Sequence, residues 1–65
     1  MNELAQLIDE FLDNNGIKRT FICEKLGISS QLFYRLMHKK NFSVNDANRI
    51  LNTVNKKISF KIIDN

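Results

Sequence analysis

Gly27 is the residue that most constrains this chain. The helical pattern before it, from about Lys18 to Lys25 with Ile22 and Leu26 on one side, is broken there after barely two turns. Helical periodicity resumes immediately beyond, with Phe33, Leu36 and Met37 sharing a face. Helices this short are not stable alone in water. Each therefore needs the other to pack against, across a turn only a few residues long. Close, steep packing demands a small residue at the contact, which Cys23 supplies. It also demands glycine at the turn and apolar side chains around it, here Ile22, Leu26, Ile28, Phe33 and Leu36.

The flanking segments read as further helices. Leu4, Leu7, Ile8, Phe11 and Leu12 have amphipathic helical spacing, ended by Asp13-Asn14-Asn15-Gly16. Ser29 or Ser30 is suited to cap the helix that follows Gly27. Its outer face carries Gln31, Tyr34, Arg35 and His38, and a basic loop of His38, Lys39, Lys40 and Asn41 leaves it. Ser43 with Asp46 resembles a capping box opening a fourth helix, which stacks Ala47, Ile50, Leu51 and Val54 with Val44 beneath. The period then changes. Ile58, Phe60 and Ile62 alternate with Ser59, Lys61 and Ile63, a strand pattern over about 58–63.

Sixty-five residues allow one domain, 1–65, with a thin stability margin. The lone cysteine excludes an internal disulfide, and no zinc-ligand spacing or signal-peptide pattern is present, so a cytoplasmic protein is expected. No apolar run suggests a membrane span. Charge is polarised. Residues 1–17 carry Glu3, Asp9, Glu10 and Asp13 and a net of −4. Residues 18–40 hold Lys18, Arg19, Lys25, Arg35, Lys39 and Lys40 against Glu24, a net of +5, and residues 41–65 a net of +2. A basic centre is where a polyanion would dock, although a merely solvated basic surface would look the same.

The stretch from Arg19 to Leu36 resembles the helix-turn-helix of the Cro/repressor family, also called the xenobiotic-response-element family. The similarity covers roughly Leu4 to Val54, with the motif at about 18–38 and Leu-Gly-Ile-Ser (Leu26 to Ser29) its most specific part. It implies a mainly α, four-helix DNA-binding domain whose second motif helix enters the major groove. On the same resemblance Ser30, Gln31 and Arg35 match base-reading positions. Arg19, Lys39 and Lys40 match phosphate-contacting ones, and Lys18 and Ser29 join the phosphate set at the starts of the two motif helices. The chain departs from the family in four respects. Lys18 stands where Ser or Thr usually caps, Phe21 where a polar residue is common, and Cys23 where alanine is usual. Leu32 and Tyr34 make the reading face more apolar than most.

Individual side chains carry alternatives. Gln suits adenine edges and Arg guanine edges, so base contact by Gln31 and Arg35 is favoured over a solvated face. Tyr34 is open between a phosphate contact and cover over apolar surface. Leu32 leans towards the core over a thymine methyl. His38 is a phosphate contact or a bystander. With no second histidine and Cys23 expected inside, no metal or other cofactor is expected. Asp9, Glu10 and Asp13 read as a solvated face, Phe42 as core, and Phe21 is open between core and partner contact. No nucleophile–base pair or phosphate-binding loop appears, so no enzyme is expected.

A lone strand needs a partner. The expectation is therefore a homodimer in which Ile58, Phe60 and Ile62 pair with a second copy, presenting two reading helices to double-stranded DNA as a repressor on an inverted repeat. Two rivals stand beside it. One is an antitoxin that binds a toxin and represses its own operon. The other is a protein-binding adaptor or anti-repressor using Phe21, Leu32 and Tyr34.

Overall fold

The computed structural model describes residues 1–58 and 62–64. Four helices dominate them: α1 (Glu3–Asn14), α2 (Arg19–Leu26), α3 (Ser30–Met37) and α4 (Val44–Leu51). A single 3-10 turn (Asn52–Val54) leads into two short strands, β1 (Lys56–Ile58) and β2 (Ile62–Asp64), paired antiparallel. No helix among the described residues is long and apolar enough to cross a membrane.

The first two helices end by one device. At Gly27 (φ 68°) the chain turns left-handed, and Cys23 and Glu24 carbonyls accept from the Ile28 and Gly27 N–H groups at 3.0 and 3.2 Å. Gly16 (φ 65°) repeats this, with Leu12 and Asp13 carbonyls accepting from Ile17 and Gly16 at 2.9 and 3.2 Å. Each motif satisfies carbonyls that a helix end leaves free and turns an isoleucine back towards the core. Ile17 and Ile28 both pack against it.

Starts are fixed by side chains. Ser29 Oγ accepts from the Leu32 N–H at 3.2 Å, deciding between the two candidate serines. The capping box of α4 is complete: Asp46 N–H donates to Ser43 Oγ at 3.3 Å and Ser43 N–H to Asp46 Oδ2 at 3.0 Å. Asn2 caps α1 by accepting from the Ala5 N–H at 2.8 Å, and its amide also donates to the carbonyls of Lys40 and Phe42. One side chain thus ties the start of α1 to the loop after α3.

The core draws on every helix: Ala5, Ile8 and Leu12; Ile22 and Cys23; Phe33 and Met37; Ala47, Ile50 and Leu51, with Phe42 from the loop. Three apolar residues lie elsewhere than expected. The buried stripe of α1 runs through Ala5, Ile8 and Leu12, which turns Leu7 to solvent. Val44 occupies the first turn of α4 and is exposed instead of lying beneath it. Leu32, expected to extend the core, is 50% exposed because Phe33 and Met37 define the inward face of α3.

The end of the chain also requires a correction. The expected single strand over 58–63 is two three-residue strands, and its partner lies in the same chain. Lys56 faces Asp64, Lys57 faces Ile63 and Ile58 faces Ile62. Asn55, left-handed at φ 60°, redirects the chain so that 56–58 can lie beside 62–64. Ile58 and Ile62 pack against this chain's own core, so their burial needs no second copy. Ile58 N–H donates to Asn48 Oδ1 at 2.7 Å, pinning β1 to α4, and Lys56 pairs with Asp64 across the hairpin. Phe60 lies outside the described residues.

Two substitutions test this architecture. Nothing lies within 4 Å of a Cβ placed on Gly27, so Gly27→Ala should destabilise through its backbone angle alone. The loss should be about 1 kcal/mol in denaturant unfolding, with Gly27→Asn milder. The hydrogen bond from the Ser43 N–H, aided by Lys39, holds the Asp46 carboxyl below the ordinary aspartate value of 3.8. A lowered folded value contributes stability above about pH 4 that is lost as pH falls through it. Asp46→Asn should therefore lower stability at neutral pH, and unfolding curves for the two proteins should converge towards pH 2.

Candidate nucleic-acid interface

Packing determines which side of α3 is free. Phe33 and Met37, one turn apart, are buried. Gln31 and Arg35, also one turn apart, fall directly opposite them on a 3.6-residue helix, and both are exposed. Ser30, in the first turn, is exposed as well. Gln31 and Arg35 thus lie together along one accessible stretch of a helix anchored by its other side, whereas Ser30, three residues before Phe33, falls towards the anchored side and is exposed at the helix start. Leu32 borders this face on one flank. Tyr34, 63% exposed, and His38 border it on the other.

Tyr34 and His38 form a unit. Their rings stack with centroids 4.0 Å apart and planes 22° from parallel. His38 Nδ1 lies 2.9 Å from the Tyr34 carbonyl. A carbonyl only accepts, so Nδ1 carries the proton in this contact. Tyr34 therefore covers its neighbour's ring, whichever partner its hydroxyl meets.

The cations separate into two groups. Arg19 donates through Nε to Asp9 Oδ1 at 3.1 Å, pairs with the same oxygen through Nη2, and donates through Nη1 to Asp13 Oδ1 at 2.9 Å. Hydrogen bonds to Asp13 and then Asp9 raise its already high pKa. This cluster of one guanidinium and two carboxylates has a net charge of −1. Lys39 Nζ lies 3.2 Å from Asp46 Oδ2, which neutralises a second expected phosphate contact. Lys18, Arg35 and Lys40 have no carboxylate within ion-pair distance among the described residues. Lys18 stands just before α2 without a side-chain cap, and Lys40 leaves α3 in the exposed loop. Ser29 keeps a hydroxyl proton to donate while its oxygen caps α3.

The structure therefore groups Gln31 and Arg35 and sets Ser30 apart at the start of α3, and it leaves Lys18 and Lys40 without an ion pair. It holds Arg19 and Lys39 in ion pairs. The Arg19 cluster was missed because Asp9 and Asp13 read as a solvated face. Their i, i+4 spacing near a tight turn into a basic helix start was the available signal. Ile58 and Ile62 belong to the hairpin and not to an exposed face. No group of three or more His, Cys, Asp or Glu side chains among the described residues is placed to hold a metal ion.

No family model, curated protein or solved structure matches the chain. A planar fork and an amide one turn apart suit the edges of bases, while the lysines suit phosphate oxygens.

Asp9 and Asp13 compete with any phosphate for Arg19. Asp13→Asn should tighten duplex binding at low salt by up to about fivefold, since an exposed ion pair is worth about 0.2–1 kcal/mol. Anisotropy titrations should show the gain vanish at high salt.

Proposed function

We propose that this chain is a sequence-specific DNA-binding regulator with a helix-turn-helix of the Cro/repressor type. The observation that carries this reading is the exposed pair of Gln31 and Arg35 on a two-turn helix fixed from behind by Phe33 and Met37. The major groove admits one such helix. In this account α3 lies in the groove, Gln31 pairs with adenine and Arg35 with guanine, and Ser30 adds a contact at the helix start. Lys18 and Lys40 meet phosphates directly. Arg19 and Lys39 do so by exchanging a carboxylate for a phosphate. These backbone contacts set register and the α3 side chains specify sequence.

The regulator works as a cytoplasmic homodimer on an inverted repeat, most simply repressing by occupying a promoter. Because Asn48 takes the Ile58 N–H, the outer edge of β2 is the strand edge offered to a second copy in this proposal. A second reading has its own support. Phe21, Leu32 and Tyr34 are 40%, 50% and 63% exposed, more apolar surface than groove contact needs. A protein-binding adaptor would use them, and its binding would survive high salt.

Arg35→Ala should cost about 1–3 kcal/mol of specific affinity and relax preference at one base pair. Lys40→Ala should weaken all duplexes alike and reduce the salt slope by about one. Competition titrations against scrambled duplex separate the two effects. Equal affinity of the Arg35 variant for duplexes that differ only at that base pair, which wild type discriminates, would support the reading. Unchanged discrimination would remove α3 as the reader.

A further inference from the structure

Asn15-Gly16 is the chain's one asparagine–glycine pair, although asparagine is frequent in it. Both residues are exposed just past the end of α1. Glycine has no side chain to shield its backbone nitrogen, and nothing lies within 4 Å of where a Gly16 Cβ would stand. That nitrogen is open to base, and it is the atom that can close a five-membered ring on the Asn15 amide carbon.

The folded turn holds the two reacting groups apart. With Asn15 ψ at 7°, the Gly16 nitrogen eclipses the Asn15 nitrogen about the Cα–C bond. Ring closure needs it eclipsed with Cβ instead, which carries the amide. Rotating it there would break the Gly16 N–H bond to the Asp13 carbonyl (3.2 Å) and the Ile17 N–H bond to the Leu12 carbonyl (2.9 Å). The leaving group is held too, since Asn15 Nδ2 donates to the Phe11 carbonyl at 2.8 Å. Ile17, packed against the core, keeps the turn closed.

We propose that Asn15 is a site of spontaneous deamidation gated by this helix end, reacting when the last turn of α1 opens. Helix ends open locally at far lower free energy than the whole domain. In the open turn, base removes the Gly16 amide proton and the nitrogen attacks Asn15 Cγ. The N–Cγ bond forms, the Cγ–Nδ2 bond breaks, and Nδ2 leaves as ammonia with a proton from water. Water then opens the succinimide at either carbonyl, leaving aspartate or isoaspartate, and nothing is oxidised or reduced. Either product puts a negative charge at the C-terminal end of α1, where the helix dipole opposes it. Isoaspartate also adds a carbon to the main chain of the turn. The site does not depend on whether α3 meets DNA.

Full-length protein is incubated at mildly alkaline pH, folded and in denaturant. Conversion is followed by the gain of one mass unit and by enzymatic methylation of isoaspartate, mapped to peptides. Asn15 should convert first in both states, and more slowly in the folded protein by about tenfold or more. Ile17→Ala, which loosens the turn, should raise the folded rate by about threefold or more. Asn15→Gln should remove the early conversion. Equal rates in the two states would overturn the proposal, as would first conversion at another asparagine. An unchanged rate in a folded Ile17→Ala protein would also overturn it. If that variant does not fold, the comparison of folded and denatured wild type decides.

Discussion

The left-handed turn at Gly27 is the constraint on which the rest depends. It ends α2 after two turns and returns the chain through Ile28, whose N–H is bound by the carbonyl of Cys23. Two helices too short to persist alone are thereby fixed against each other and against α1 and α4. The same packing buries Phe33 and Met37, and burying them turns Gln31 and Arg35 outward. Had α2 continued another turn, α3 would start elsewhere and its polar face would have no common direction.

Local features were legible because their causes are local. Periodicity located α1 and α4, Gly16 and Gly27 marked where helices stop, and Ser43 with Asp46 announced a capping box that forms. The buried positions of Cys23 and Phe42 followed from pattern and size. What escaped was set by contacts between distant residues. Asn2 joins residues nearly forty positions away, and Arg19 reaches back to Asp9 and Asp13. Lys56-Lys57-Ile58 shows no alternation of polar and apolar residues, so nothing in its pattern marked it as a strand. Its pairing with 62–64 is organised by Asn55 and by Asn48 on another element. Leu7, Val44 and Leu32 were misplaced for a related reason: helical spacing gives a stripe, but the partner decides how far that stripe rotates.

At the candidate site, the exposure of Gln31 and Arg35 on α3 was legible and the state of the charges was not. A count of lysines and arginines treats Arg19 and Lys39 like Lys18 and Lys40. The fold distinguishes them by placing carboxylates on the first pair. Net positive charge overstates what this surface would offer a polyanion at once, because two carboxylates of α1 are held on Arg19.

The central claim is that α3 reads duplex sequence, and selection of bound sites from random double-stranded DNA tests it most directly. The account expects an enriched motif of two half-sites in inverted repeat, about 10 base pairs centre to centre, with guanine and adenine at contacted positions. A bound pool with no enriched motif, or no retained duplex at low salt, would contradict it.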